Sequence, residues 1–234
     1  MVSVPRLFSA DIEGIDAHLV EVEADLNVGL HSFSIVGLAD KAVGEAKERV
    51  NSALKHCGIK PPSKENRKIT INLAPANVKK TGSRFDLPIA LAYLLASEQM
   101  APFAGEDKVF LGELALDGTV RPVGGCLNAA LLAEKSGARF IFVPKENAAE
   151  AALARKITVI PARHLREVVA HLEKREEIIS QEPTSLSPSY PKLKSLPILL
   201  RLIRSLLRGI FCLRRKNESY LKTRPLISKH QSLR

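Results

Sequence analysis

The residues best suited to hold an anion lie in segment 77–88, Asn-Val-Lys-Lys-Thr-Gly-Ser-Arg-Phe-Asp-Leu-Pro. Lys79, Lys80 and Arg84 bring three cations to a loop that leads into an apolar helical pattern. Backbone amides at the start of a helix lack intrahelical partners, and the helix dipole favours negative charge there. The segment predicts an anion or nucleic-acid contact at Lys79, Lys80 and Arg84. The alternative is that these side chains are only solvated.

The other residues of this segment have a structural explanation. Ser83 and Asp86 have the spacing of a capping box, in which each residue satisfies the other's unpaired amide. Pro88 is compatible with the first turn of a helix, where a missing N–H breaks no hydrogen bond. We therefore expect Ser83 to cap a helix that begins near residue 86.

A second stretch, 111–130, contains turn signals next to a helical pattern. It reads Leu-Gly-Glu-Leu-Ala-Leu-Asp-Gly-Thr-Val-Arg-Pro-Val-Gly-Gly-Cys-Leu-Asn-Ala-Ala. Asp117 and Gly118 predict a two-residue hairpin turn, because both positions of such a turn need positive φ. Gly124 and Gly125 allow a close approach of the loop before the helix. The alternative to a functional loop is a tight connection without chemistry.

Several kinds of catalytic site are excluded by missing motifs. No Gly is followed by Lys, so the phosphate-binding loop of ATPases is absent from the sequence. The patterns G-x-G-x-x-G, G-x-S-x-G and H-E-x-x-H are absent as well. The three Cys and six His residues are scattered without ligand spacing. The sequence therefore predicts no catalytic, metal or cofactor site in this chain.

The periodicity of apolar residues predicts an α+β fold, in which strands come first and then alternate with helices. Asp40 is predicted to cap the clearest helix. The predicted strands cover about 4–11, 17–25, 31–37, 67–73, 108–116, 119–122, 139–143 and 156–160, and the predicted helices cover about 41–56, 86–98, 126–136, 146–154 and 163–176.

The positive charge of the chain is confined to its C-terminal part. Residues 1–180 carry 23 Lys and Arg and 23 Asp and Glu, whereas residues 181–234 carry 12 basic and 2 acidic residues. We expect a domain at 1–178, a Pro- and Ser-rich linker at 179–197 and a basic Leu- and Arg-rich tail at 198–234. Within 196–216, one interpretation is a basic amphipathic helix for a membrane surface or nucleic acid. The other is a frameshifted or disordered segment that was never selected to fold.

Neither a secretory signal nor an uninterrupted apolar run of about 18 residues is present. We expect a cytoplasmic protein without stable membrane insertion.

Segments 77–88 and 111–130, together with Ser-Phe-Ser-Ile-Val-Gly-Leu-Ala-Asp at 32–40 and Ile-Asn-Leu-Ala-Pro-Ala at 71–76, carry a family resemblance. In order and spacing, residues 4–178 resemble the amino-terminal domain of the magnesium-chelatase-like AAA+ ATPases. The resemblance implies a Lon-protease-like fold, related to the second domain of ribosomal protein S5. It also implies that ATP and Mg²⁺ belong to an ATPase module that does not follow here.

Lon-type proteases use a Ser and a Lys in motifs that can be aligned without gaps on this chain. The Ser position falls on Arg84, and the Lys position falls on Leu127. The resemblance therefore implies that the proteolytic dyad is lost.

The expected function is that of a non-catalytic domain in a truncated member of this family, which is linked to DNA processing and branch migration in natural transformation. The partners that the resemblance implies are DNA and, as in ring-forming relatives, further copies of the chain. Two alternatives stay open: a Lon-like peptidase with an unrecognised nucleophile such as Ser83, and an adaptor that acts through the basic tail.

Overall fold

The computed structural model describes residues 4–184, which are built around a seven-stranded sheet. The strand order is β3-β4-β2-β1-β5-β8-β9, and β6 and β7 form a separate hairpin. The strands are β1 (Arg6–Glu13), β2 (Asp16–Val28), β3 (Ser32–Val36), β4 (Arg67–Ala74), β5 (Lys108–Phe110), β6 (Glu113–Leu114), β7 (Val120–Arg121), β8 (Phe140–Pro144) and β9 (Thr158–Ala162).

The sheet is mixed in direction. Strands β1 and β2 are antiparallel, as are β2 and β4, whereas β3 runs parallel to β4 and the series β1, β5, β8 and β9 is parallel. The helices are α1 (Lys41–Gly44), α2 (Ala46–His56), α3 (Asp86–Ala96), α4 (Cys126–Lys135), α5 (Ala148–Ala151) and α6 (Leu165–Leu172). Short 3-10 turns cover Pro62–Lys64 and Lys145–Asn147.

Alternation of side chains along β1 separates two cores, because successive residues of a strand face opposite sides of the sheet. Leu7 belongs to the core that contains α2, α3 and α6, and Ala10 belongs to the core that contains α4 and α5. Helix α3 is buried almost all round and carries no charge after Asp86. The start of α3 is therefore held between the sheet and the β6–β7 hairpin.

The α+β class expected from the sequence is confirmed, and so is the cap at Asp40, whose Oδ1 accepts from the Val43 amide at 2.8 Å. Two elements differ from expectation. The pattern at 41–56 is divided at Glu45 into α1 and α2, and the strand expected at 108–116 ends at Phe110 before a short second strand.

The turn between β6 and β7 is one residue longer than the Asp117-Gly118 signal predicts. The Ala115 amide donates to the Thr119 carbonyl, which leaves residues 116–118 in the loop. Gly118 has φ 95°, whereas Asp117 is not among the residues with positive φ. Asp117 instead accepts from the Thr119 amide with its side chain, which stabilises the turn without a left-handed residue at that position.

The segment after α6 remains against the domain beyond residue 178, where the sequence predicted its end. The Ile178 amide donates to His171 Nδ1 at 2.9 Å, and the Ile178 side chain packs on the first core. The Gln181 amide then donates to the Val159 carbonyl at 2.8 Å, and the Thr184 amide donates to the Ala152 carbonyl at 3.0 Å. Residues 178–184 thus cover the outer edge of β9. The predicted tail at 198–234 lies outside the described residues.

A truncation pair tests these contacts. A chain that ends after Thr184 should be more stable than one that ends after Glu177 by about 2–3 kcal/mol, from two backbone hydrogen bonds and the partial burial of Ile178. Urea unfolding followed by circular dichroism measures the difference. Equal midpoints for the two chains would contradict a docked segment.

Within residues 4–184, no helix combines the length and the apolar character that crossing a membrane requires.

Candidate functional site

The two stretches singled out in the sequence lie side by side in the structure. The Gly112 amide donates to the Arg84 carbonyl at 3.0 Å, and the Leu87 amide donates to the Gly112 carbonyl at 3.1 Å. On the other side, the end of β1 approaches the start of α4 so closely that a Cβ on Gly125 would lie 2.9 Å from Ile12 Cγ1. Three chain segments therefore meet at the starts of α3 and α4.

Arg84 lies at this junction with a buried carboxylate beside it. Its Nε is 3.9 Å from Asp11 Oδ1, and the side chains of Arg84 and Asp11 are 14% and 4% exposed. Asp11 also accepts from the amide and the hydroxyl of Thr81, each at 3.4 Å. Arg84 Nη1 is buried and has no hydrogen-bond partner within the described residues. The site therefore holds a donor that a bound anion or water would satisfy.

Lys80 is not part of an exposed cationic surface, which corrects the expectation for this residue. Its side chain is fully buried, and Nζ donates to the Pro75 carbonyl. Burial lowers the pKa of the Lys80 amino group, and the nearby Asp11 carboxylate partly opposes this shift. Lys80 is also fixed through its backbone, which exchanges hydrogen bonds with Leu38 and Asp40. In this conformation, Lys80 joins the loop before α3 to residues 38–40, which follow β3.

Lys79 is exposed, and Arg84 is partly buried, so the three predicted cations lie in three different environments. The reason for the difference between the lysines is that adjacent side chains alternate in direction here, so that Lys79 faces solvent and Lys80 faces the interior. The sequence shows the charge of residues 79, 80 and 84 but not this alternation, because the loop lacks a regular period.

Ser83 does not cap α3, and the predicted capping box is wrong. The residue before the helix is Phe85, which makes no side-chain cap. The Ser83 hydroxyl donates to Glu113 Oε2 on β6, and Glu113 Oε1 is 3.7 Å from Arg121 Nη1. Ser83 thus links the loop to the hairpin.

Asp86 is the fully buried member of a second ion pair of the site. Arg49 Nε donates to Oδ2 at 2.5 Å, and Arg49 Nη2 donates to Oδ1 at 2.9 Å, so the pair is bidentate. Asp86 Oδ2 also accepts from the Leu114 amide at 3.1 Å. The hydrogen bond to Asp86 raises the pKa of Arg49 above its usual value. One carboxylate therefore connects α2, α3 and β6.

Both cysteines of the described residues are buried. Burial raises the pKa of Cys126 to about 12, and burial also raises the pKa of Cys57. Both thiols are therefore protonated at neutral pH. No cluster of three or more His, Cys, Asp or Glu side chains in the described part of the chain is arranged to hold a metal ion.

Comparison with known proteins decides the family. A family model described as subunit ChlI of Mg-chelatase matches residues 22–147, which include both stretches of the site. The chain belongs to this magnesium-chelatase family.

The relatives include two longer bacterial proteins. An uncharacterised protein, YifB of Escherichia coli K12, is 42% identical over 171 residues, which are 73% of this chain and 33% of YifB. Competence protein ComM of Haemophilus influenzae is 41% identical over 176 residues, which are 75% of this chain and 34% of ComM. This family member thus spans about a third of the length of the relatives it matches.

A more distant similarity reaches the Lon proteases. Lon protease of Rhizobium meliloti is 25% identical over 191 residues, which are 77% of this chain and 23% of the protease. The expected Lon-like character of the domain is confirmed at the level of sequence similarity, and the mixed sheet is consistent with it.

Sequence reasoning missed the acidic half of the site. Asp11, Asp40 and Glu113 accept hydrogen bonds from Thr81, Gly82 and Ser83 respectively. A signal existed for Asp11, because it has the same parity on β1 as the buried Leu7 and Ser9. A carboxylate at a core-facing strand position indicates a buried partner. No pattern in the sequence predicts that Glu113 belongs to the site.

Proposed function

We propose that residues 4–184 form a non-catalytic interaction domain that contacts DNA, in a chain related to the ComM-like ATPases. The observation that carries the proposal is Arg84. It occupies the position that the Lon-type nucleophile takes in the gapless alignment, and it directs a buried Nη1, unpartnered within the described residues, into the junction of the site. A cation there cannot attack a peptide bond, but it can bind an anion.

The contacts of Ser83 argue against the peptidase alternative. A serine nucleophile needs a base that can remove its proton. The partner of Ser83 is Glu113, whose other carboxylate oxygen lies 3.7 Å from Arg121 Nη1, so this carboxylate links Ser83 to the hairpin. The aligned position of the Lon-type lysine is Leu127. Neither feature supports the activation of Ser83 as a nucleophile.

Lys79 and Arg84 are the residues of the predicted loop that we propose to contact phosphate. Lys79 is exposed and can reach a phosphate directly, whereas the unpartnered Nη1 of Arg84 is buried and would have to become accessible on binding. Lys80 would contribute indirectly, because its backbone hydrogen bonds fix the loop against residues 38–40. Such a contact positions a nucleic acid without reading its sequence.

Three further proposals concern cofactors, self-association and cellular location. We propose that ATP and Mg²⁺ act in the family's ATPase module and not in residues 4–184. Self-association, supported by the resemblance to ring-forming relatives, and a cytoplasmic location are further proposals.

The test is a salt titration of fluorescent single-stranded and duplex DNA against a chain that ends after Thr184. Binding should weaken steeply with salt, and Lys79→Ala should reduce the slope of log affinity against log salt by about 0.9 for a lost duplex contact. Lys145→Ala removes another exposed lysine, next to β8, and serves as the control. Absence of binding at low salt would refute the DNA contact and leave assembly as the role.

A further inference from the structure

A second cationic surface lies on the connection between α2 and β4. It consists of five exposed side chains: Lys55, Lys60, Lys64, Arg67 and Lys68. Glu65 is the acidic residue of segment 55–68, and it is 10% exposed and lies 3.2 Å from Lys60 Nζ. The segment keeps an excess of positive charge in a domain whose charges balance overall. We call these five residues the basic surface.

The backbone of this segment is held by hydrogen bonds from three directions. The Tyr93 hydroxyl donates to the Lys60 carbonyl at 3.0 Å, and the Lys60 amide donates to Gln99 Oε1 at 3.1 Å. The Ser63 amide donates to Asn51 Oδ1 at 2.9 Å. His31 Nδ1 lies 3.0 Å from the Glu65 carbonyl. Lys60 and Lys64 therefore project from a fixed loop, which reduces the entropy lost on binding.

Two residues of the basic surface, Arg67 and Lys68, lie at one end of the sheet. Arg67 pairs with Val28 and Lys68 pairs with Asn27 at the start of β4. Because successive strand residues face opposite sides, Arg67 and Lys68 place charge on both faces of the sheet. Val28, at the end of β2, is 98% exposed, and Leu30, in the adjoining β2–β3 turn, is 91% exposed. Positive charge is thus combined with apolar side chains that protrude.

We propose that the basic surface binds the phosphate backbone of a nucleic acid strand that passes around this end of the sheet. The proposal rests on the DNA contact proposed above and adds a second surface, separate from the loop of Lys79 and Arg84. Charge on two opposite faces suits a flexible polymer that can follow the surface. A flat anionic membrane could reach only one of these faces at a time.

The experiment uses the full chain and two matched sets of four substitutions. The test variant carries Lys55→Gln, Lys64→Gln, Arg67→Gln and Lys68→Gln, and it leaves Lys60 in its ion pair with Glu65. The control variant carries Lys135→Gln, Lys145→Gln, Arg155→Gln and Lys156→Gln, which are exposed elsewhere on the domain. Both sets remove three lysines and one arginine, so the net charge changes equally.

Fluorescence anisotropy with single-stranded DNA at several salt concentrations is the readout. The test variant should bind about tenfold more weakly near 0.1 M salt and lower the salt slope by about 2 to 3, because up to four phosphate contacts are removed. The control variant should retain the wild-type slope within about 1. A double variant, Arg67→Gln with Lys68→Gln, should show about half the slope change and guards against misfolding of the fourfold variant.

Equal slopes for the test and control variants would overturn the basic surface and leave the DNA contact of the domain in place. Absence of DNA binding by the wild-type chain would overturn both. A test variant that loses binding to vesicles of anionic phospholipid, and not to DNA, would overturn the nucleic-acid assignment in favour of a membrane.

Discussion

Asp86→Ala should lower the free energy of unfolding by about 3–5 kcal/mol, because it leaves a partly buried guanidinium with only the exposed Glu45 carboxylate, 4.0 Å away, as a counterion. Arg49 is 19% exposed and makes both of its short side-chain hydrogen bonds to Asp86. The substitution also removes the acceptor of the Leu114 amide, whose loss adds to the cost. Urea unfolding at neutral pH is the measurement.

A double substitution separates the contribution of the ion pair to the free energy of unfolding from the contribution of side-chain packing. Arg49→Met together with Asp86→Leu removes both charges and should recover much of the loss, since apolar replacement of a buried pair is often neutral. Asp86→Asn keeps the shape but not the charge and should be intermediate. A loss below about 1 kcal/mol in Asp86→Ala would show that the pair is solvent-screened, as surface pairs are.

The sequence predicted most elements because their apolar periods are long and regular. Helix α3 and strand β4 were located to within a few residues, since the buried residues of β4 alternate strictly. The same reasoning placed Asp86 in a capping box with Ser83, where its spacing fits. In the structure, Asp86 instead forms an ion pair with Arg49, which is 37 residues away in the sequence. A local sequence pattern could not identify this partner.

The candidate site was predicted in location more accurately than in detail. The sequence pointed to the loop before α3 and to the hairpin before α4, and these do lie together. It could not show that Lys80 is buried, because the orientation of a loop residue depends on contacts with residues 38–40 and 75. The contacts of residues 178–184 could not be predicted from the sequence either, since a segment docked by backbone hydrogen bonds needs no apolar period.

Gly37→Ala should be among the most damaging single substitutions, with a loss of more than about 3 kcal/mol, because it combines backbone strain with a steric clash. Gly37 has φ 108°, a conformation that side-chain-bearing residues rarely adopt. A Cβ there would overlap the Leu73 carbonyl oxygen and lie 2.9 Å from its carbonyl carbon. The obstacle is the backbone of β4, which cannot rotate away as a side chain can.

The damage should reach the site, because Gly37 directly precedes the residues that fix the loop. The Leu38 carbonyl accepts from the Lys80 amide at 3.1 Å, and the Asp40 amide donates to the Lys80 carbonyl at 3.0 Å. Separation of β3 from β4 would loosen these bonds and with them the loop that carries Lys79. We expect Gly37→Ala to weaken DNA binding at a temperature where the protein is still folded.

Substitutions at two other glycines separate the cost of backbone strain from the cost of the steric clash. Gly14 has φ 62°, and no atom lies within 4 Å of the position that a Cβ would take, so Gly14→Ala should cost about 1–2 kcal/mol from backbone strain alone. Gly124 has neither a positive φ nor a neighbour within 4 Å, so Gly124→Ala should be neutral or stabilising by up to about 1 kcal/mol. Thermal unfolding of the three variants orders them. If Gly37→Ala cost no more than Gly14→Ala, β3 would be able to move away from β4 without loss, and its proposed role in holding the loop would be wrong.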